Sequence, residues 1–380
     1  MPPVIEDEIK ATARGLGFDL VGICALGPAD TAARFTEWIE RGCAGHMSYL
    51  ARNADVRVDS RAPVPGTTHA IVVALNYGGT EPRGPIARYA RGTDYHDVML
   101  DKLEALHEWV RTRVGRPVPG KAYVDTGPLL ERDLGRRAGL GWFGKNTNLL
   151  NPQLGSFFFL GALVLQLELT PDPPFDADRC GSCTRCLDAC PTDAFLAPRV
   201  LDATRCISYL TIELRGAIPL AYRSKIGELL YGCDICQDVC PWNIRFSRAL
   251  TEPLFEPRTA ITTADPREFL HLSQPEFETR FRGSAMKRAK RAGLARNAAI
   301  VLGNRGDPED IDPLAHAIEF DPDPAVRSHA AWALGEIARQ CPSHASRIRD
   351  VLRSLCAAES DAMVLAEVAA ARRACTDEIE

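Results

Sequence analysis

The sequence predicts a layered α/β domain, a cysteine-rich insert of ferredoxin type and an all-α tail of helical repeats, in that order. Three observations carry this: apolar, β-branched runs before residue 170, eight cysteines in tight motifs between Cys180 and Cys240, and an alanine-rich segment that recurs near the C-terminus. A chain of 380 residues has room for two or three units of roughly 100 to 200 residues each. Hydrophobic residues at 46% and charged residues at 25% are globular proportions, so a core is available without help from metals. No apolar run approaches the roughly 18 residues needed to cross a bilayer, which predicts a soluble chain with no membrane partner. The N-terminus carries Pro2 and Pro3, then Glu6, Asp7 and Glu8, the wrong chemistry for a secretory signal. A cytoplasmic protein is expected. The net charge of -5 argues against a surface basic all over but allows a local basic patch for nucleic acid.

Residues from Glu6 to about Arg41 read as helical pieces around a short apolar strand, Asp19 to Cys24, and Gly42 to Gly45 ends the second piece. Ala70 to Leu75 is a continuous β-branched run that suits a buried strand. Leu100 to Val110 reads as an amphipathic helix, and Ser156 to Leu169 as central sheet. Pro171, Pro173 and Pro174 then break the sheet pattern. In the tail, LARNAAIVLG ends at Gly303 and VRSHAAWALG ends at Gly335, 32 residues on, with a looser copy from Asp361 to Arg372. Each copy buries its face only by stacking on a neighbour, which predicts a short solenoid. Asp323 is placed to cap such a helix and Pro324 to open it. The expected limits are 1–170 for the core, 171–245 for the insert, 246–285 for a connecting segment and 286–380 for the repeats.

The strongest local signal is CGSCTRCLDACP from Cys180 to Pro191, the spacing of bacterial two-cluster ferredoxins, in which the fourth cysteine serves the other cluster. The second run, CDICQDVCP from Cys233 to Pro241, holds three cysteines, and Cys206 completes eight. Exchanging the last cysteine of each run puts Cys180, Cys183, Cys186 and Cys240 on one [4Fe-4S] cluster and Cys190, Cys206, Cys233 and Cys236 on another. Four thiolates also suit tetrahedral zinc, but the closely spaced third cysteine and the following proline favour iron and sulfur.

An electron carrier needs neither a domain of about 170 residues nor a repeat tail, so a catalytic centre and a large substrate are expected. No GxGxxG follows Ala70 to Leu75 and no GxxxxGK occurs, which leaves a dinucleotide site or ATP-driven chemistry without support. Several motifs resemble the epoxyqueuosine reductase family: RYARGTDYH from Arg88 to His96, YVDTGPLLER from Tyr123 to Arg132, RAGLGWFGKNTNLL from Arg137 to Leu150, the first cysteine run, RCISYLT from Arg205 to Thr211, and YGCDICQDVCPWN from Tyr231 to Asn243. The tail is similar to the HEAT-type repeats of that family. The resemblance implies a monomeric oxidoreductase that reduces epoxyqueuosine to queuosine at the wobble position of tRNA. It also implies a cobalamin, two [4Fe-4S] clusters, a catalytic core shared with reductive dehalogenases, and an external low-potential donor of flavodoxin or ferredoxin type.

By position against the family motifs, Arg57, Asp125, Lys145, Asn146, Leu149, Leu160 and Ser208 are implied cobalamin contacts, with Tyr89 and His96 lining the same cavity. No DxHxxG signature is present, so cobalamin binding through a ligating histidine is disfavoured. Some relatives carry a cysteine where this chain has Ala87, and no scheme requiring that thiol applies. Asp125 falls on the family's proton donor, and burial above a corrin ring is expected to raise its pKa; an Asx turn before Gly127 and Pro128 is the structural alternative. Lys287, Arg288, Lys290, Arg291 and Arg296, in AMKRAKRAGLAR, form the expected contact with the tRNA anticodon stem-loop, with Lys287 and Arg291 on one helical face. The competing readings are a small-molecule corrinoid enzyme and a corrinoid-free electron carrier. The tail separates them, because a folded RNA needs a broad surface and a small organohalide does not.

Overall fold

The computed structural model describes residues 4–79, 83–355 and 359–376. They divide into two compact units. The first takes the chain through Arg83, then Arg88–Thr204 and Asp234–Glu256; the second takes Gly84–Ala87, Arg205–Cys233 and the chain from Pro257 onwards. No helix among the described residues is long and apolar enough to cross a membrane.

The first unit is built on a four-stranded sheet of β1 (Leu20–Ala25), β2 (His69–Asn76), β3 (Gly120–Tyr123) and β4 (Phe158–Leu165), in the order β1-β2-β4-β3. Every neighbouring pair is antiparallel, with Val72 opposite Gly22 and Ala162, and Tyr123 also opposite Ala162. All eight residues of β2 are buried, which explains its unbroken apolar run: both faces of a central strand are covered. Helices α1 (Ile5–Gly15) and α3 (Tyr95–Val114) bury Ile9, Ala13, Met99, Leu103 and Leu106; α2 spans Ala32–Glu40 between them. Across the sheet, Ala70, Val72, Ala74, Ala162 and Val164 pack with Leu134 and Ala138 around α4 (Glu131–Arg137) and with Leu129, Leu140 and Leu149. Helix α3 begins five residues before its apolar pattern does. Asp94 caps it by accepting from the His96 main-chain N–H at 3.1 Å, a local signal that overrides periodicity. This start brings Tyr95 and His96 to the end of the sheet where β3 finishes and β4 begins.

In the second unit the recurring segments are α6 (Lys290–Arg305), α7 (Pro324–Gln340) and α8 (Ala362–Ala374), after a short α5 (Ile207–Ile212). The glycine that ends each copy is a crossing point. A Cβ on Gly303 would stand 2.8 Å from Ala333 Cα, and one on Gly335 would stand 3.0 Å from Ala371 Cα, so any side chain there would push successive helices apart. Asp323 caps α7 by accepting from the Ala325 N–H at 2.8 Å, and Pro324 opens the helix.

The basic segment at the start of the tail requires three corrections. Arg296 is 2% exposed: its guanidinium donates to the carbonyls of Leu210 (2.8 Å), Leu214 (3.0 Å) and Gly216 (2.7 Å) and so closes the turn after α5. A cation consumed inside a unit is not an RNA contact. Arg291 is bound bidentately by Asp321 at 2.7 and 2.9 Å. Lys287 and Arg291 also do not share a helix, because Ala285–Ala289 is a 3-10 turn and Lys290, with φ of 64°, reverses the backbone before α6. Lys287, Arg288 and Lys290 are exposed, with Arg288 held by Glu213 at 2.7 Å.

Candidate active site

Asp125 stands two residues beyond β3, in the tightest turn of the unit's sheet end. The Thr126 N–H donates to the Val124 carbonyl at 2.5 Å, and Asp125 between them has φ of 56°. Such a three-residue turn is strained for a side chain. It aims the carboxylate away from its own backbone: Oδ2 accepts from the Tyr95 hydroxyl at 2.9 Å and lies 3.7 Å from His96 Nε2. The Asx turn expected as the alternative is not formed. Arg57, 7% exposed, secures the chain beyond, donating to the carbonyls of Gly127 (3.0 Å) and Leu129 (3.1 Å).

The charges of this group are coupled. His96 Nδ1 lies 2.7 Å from Asp94 Oδ1. Burial alone would lower the His96 pKa, but the carboxylates of Asp125 and Asp94 outweigh it and raise the imidazole from 6.5 to about 9. For Asp125, crowding by the walls pushes the carboxyl up, yet His96 and the Tyr95 hydroxyl prevail and hold it below the ordinary carboxylate range. The expected upward shift is therefore corrected: Asp125 is an anion beside an imidazolium, and the mobile proton rests on His96. Glu131 supplies the opposite case. Burial first, and the Asp125 charge second, raise its carboxyl to about 8, and its Oε1 is buried without a partner.

A cavity of about 240 Å³ opens beside Asp125, lined by Tyr77, Tyr89, Tyr95, Glu131, Arg132 and Asn148 on its polar side and by Leu149, Leu160, Phe158 and Phe159 on its apolar side. Four of the expected residues, Tyr89, Asp125, Leu149 and Leu160, thus line one cavity, with His96 beside Asp125. An apolar shelf facing titratable groups, with Glu131 Oε1 and Arg57 Nε still without a hydrogen bond, fits a corrinoid held by peripheral contacts. Sequence reasoning missed Tyr95, Glu131 and Arg132. All three lie inside the quoted motifs, where a charged pair after Pro128-Leu129-Leu130 was the available signal.

Lys145 and Asn146 depart from their expected role. Lys145 Nζ donates to the carbonyls of Gly181 (2.7 Å) and Cys183 (2.9 Å), and Asn146 Nδ2 donates to Cys236 O at 3.3 Å. Their side chains serve the cysteine loops. Ser208, on α5, belongs to the second unit.

Cys180, Cys183, Cys186 and Cys240 line a second cavity of about 320 Å³ in the first unit, the set that exchanged motif ends predict. Burial, and then the neighbouring Cys240 and Cys180 sulfurs, push the Cys186 thiol up to about 11, a cost that a metal centre removes by replacing the protons. Trp142 Nε1 approaches Cys180 Sγ at 3.4 Å and packs edge-on against Trp242. Four sulfurs around so large a space, with an N–H donor to one of them, fit an iron-sulfur cluster better than a single ion. Of the other four cysteines, Cys190 accepts from the Ala194 N–H at 3.4 Å, and Cys236 lies close enough to Tyr77 to affect its phenol. Cys206 precedes α5 in the second unit, which also contains Cys233.

Comparison with known proteins gives the same organisation. A family profile described as "Epoxyqueuosine reductase QueG, DUF1730" matches residues 57–126, one for a "4Fe-4S double cluster binding domain" matches 179–243, and one for HEAT repeats matches 281–372. The epoxyqueuosine reductase of Pseudomonas aeruginosa is 40% identical over 88% of this chain and 94% of its own length, and that of Salmonella typhimurium is 37% identical over 87% and 88%. A crystal structure of epoxyqueuosine reductase with an epoxyqueuosine-modified tRNA-Tyr stem loop superposes with a TM-score of 0.89 at 31% identity, covering 98% of this chain and 99% of that one. A Bacillus subtilis epoxyqueuosine reductase structure, whose catalytic aspartate loop is swung out of the active site, gives 0.87 at 30%, covering 97% and 98%. With relatives this similar over nearly its whole length, the chain belongs to the epoxyqueuosine reductase family.

Proposed function

We propose that the Asp125 cavity is where this oxidoreductase converts epoxyqueuosine, in the anticodon stem-loop of a tRNA, to queuosine, with Asp125 relaying to the departing oxygen a proton held on His96. The observation that carries this is the pairing of a carboxylate, held out on a strained turn, with a protonated imidazole 3.7 Å away at the mouth of a half-apolar cavity. Arg57, Tyr89, His96, Leu149, Leu160 and Ser208, with main-chain atoms of Lys145 and Asn146, are assigned to a cobalamin. The two sets of four cysteines are assigned to two [4Fe-4S] clusters. When bound, these groups supply the low-potential electrons the reaction needs.

Removing an epoxide oxygen as water to leave an alkene consumes two electrons and two protons. His96, protonated up to about pH 9, is the source of the proton that Asp125 relays, and Tyr95 fixes the carboxylate by donating to Oδ2. Glu131, neutral up to about pH 8, is a second acid on the same wall. Asp125 thus acts from a pair rather than as an isolated acid of raised pKa. The tRNA is assigned to the helical tail, with Lys287, Arg288 and Lys290 as phosphate contacts, and the electrons to an external flavodoxin- or ferredoxin-type donor. A monomer in the cytoplasm completes the reading.

The test is to reconstitute the chain anaerobically, expecting roughly eight iron and eight sulfide per chain, load cobalamin, and supply epoxyqueuosine-containing tRNA with a low-potential reductant. Nucleoside analysis should find queuosine only with cobalamin present. No queuosine from the fully loaded protein would overturn the reading.

A further inference from the structure

We propose that the rim of the first cysteine cavity is the docking site for a small acidic one-electron carrier protein. The inference rests on the assignment of clusters above and adds where, and to what kind of partner, their electrons are exposed.

Charge on this rim has one sign. Arg179 and Arg245 border the cavity that holds Cys180, Cys183, Cys186 and Cys240, and no carboxylate does. Both are exposed, as is Arg185, and none of the three forms an ion pair among the described residues. Nearby acids are occupied by other arginines: Asp176 by Arg136 at 3.2 Å, Asp178 by Arg199 at 2.5 Å and Asp238 by Arg88 at 2.5 Å. Asp188 is the exception; it is exposed and accepts from Thr184 Oγ1 at 2.8 Å. The rim cations are also held in place by aromatic faces, Arg179 over Phe175 at 5.5 Å and Arg245 over Phe246 at 5.3 Å. The stacked rings of Trp242 and Phe246 line the same cavity.

A rim of one charge suits a partner that must arrive quickly, sit briefly and leave. Encounters between redox proteins bury little area, below about 1,200 Å², so a rim of a few exposed cations around one cavity is enough to guide them. The place also matches the direction of flow. The cavity of the first set is bordered by the exposed Arg179 and Arg245, whereas Cys236 of the other set stands near Tyr77, which lines the Asp125 cavity. Electrons taken up at the rim therefore move from the outer cluster towards the substrate. Each encounter oxidises the carrier by one electron and reduces the cluster by one, and two encounters serve one turnover.

The experiment uses cluster-loaded protein and a reduced flavodoxin as the acidic probe, with bleaching of cluster absorbance followed by stopped flow. Arg179→Glu combined with Arg245→Glu should lower the second-order rate at least about tenfold at low salt, and the steep salt dependence of the parent should disappear. Neutral Arg179→Gln with Arg245→Gln should fall between. Dithionite, which needs no docking surface, should bleach all three proteins at the same rate. An unchanged flavodoxin rate overturns the proposal. So does an equal slowing with dithionite, which would make the arginines cluster-tuning groups, or weaker binding of an anticodon stem-loop RNA with flavodoxin reduction intact, which would make the rim an RNA contact. Parental protein that holds no sulfide would instead overturn the cluster assignment itself, and the docking site with it.

Discussion

Two cavities of the first unit, about 320 Å³ at Cys180, Cys183, Cys186 and Cys240 and about 240 Å³ at Asp125, differ in what lines them. The first has thiols, tryptophan and cations, and no carboxylate. The second has Asp125, Glu131 and three tyrosines, and no cysteine. A thiolate cluster is stabilised by nearby positive charge and by N–H donors, whereas proton delivery needs groups whose pKa values are pushed apart. On the proposed assignment, the comparison puts electron supply and proton supply on separate walls, so each can be damaged alone.

The largest effect should follow from breaking the electron side. Cys186→Ser removes one ligand of the outer set and is expected to lower iron and sulfide from roughly eight towards four per chain and to abolish queuosine formation while cobalamin still binds. Full iron with parental turnover would show that Cys186 serves no cluster.

On the proton side, His96→Gln should lower the rate by about 100-fold, the low end of general acid–base effects, with cluster content unchanged. The pH profile sharpens this. The His96 pKa is raised from 6.5 to about 9, so the stabilisation it gains from Asp125 and Asp94 is complete below about pH 6.5 and is lost as pH rises through about 9. The Asp125 pKa is lowered, so its contribution is present above the ordinary carboxylate range and is lost as pH falls through its own depressed value. Parental activity should therefore decline on the alkaline side towards pH 9, and His96→Gln should remove that limb. An identical profile in the variant would take His96 out of the proton path.

What the chain reveals about itself follows the range of each interaction. The two cysteine motifs, β2 and the Asp323 cap were legible because the determinants of each lie within a few residues of one another. Asp125 was legible as a strand-end acid, but its pKa direction was not, because His96 and Tyr95 come from a helix some 30 residues earlier. The bonds of Lys145 to the Gly181 and Cys183 carbonyls were not legible, because those partners lie 36 and 38 residues away. Arg296 looked like part of a surface basic run until packing placed it under α5. The antiparallel order of the sheet is likewise set by long-range pairing that no local pattern encodes.

Smaller effects lie outside the two cavities and test that they are the chemical centres. Arg296→Ala should destabilise the second unit by about 3 kcal/mol or more, because three buried carbonyls lose their donor at roughly 1 to 3 kcal/mol each; a thermal melt reads this, and an unshifted midpoint would contradict the buried role. Lys287→Glu with Lys290→Glu should weaken stem-loop RNA binding several-fold at low salt and flatten its salt slope, with turnover at saturating RNA unchanged. Binding unaffected at every salt concentration would remove these lysines from the RNA surface.

The separation of the two walls is tested most directly by Asp125→Asn, an almost isosteric change, in one sample loaded with both clusters and cobalamin. Single-turnover queuosine formation is measured beside the spectrum of the dithionite-reduced clusters. The expected result is reduced clusters indistinguishable from the parent and a rate lower by roughly 100- to 10,000-fold. Near-parental queuosine formation from that sample would contradict the account.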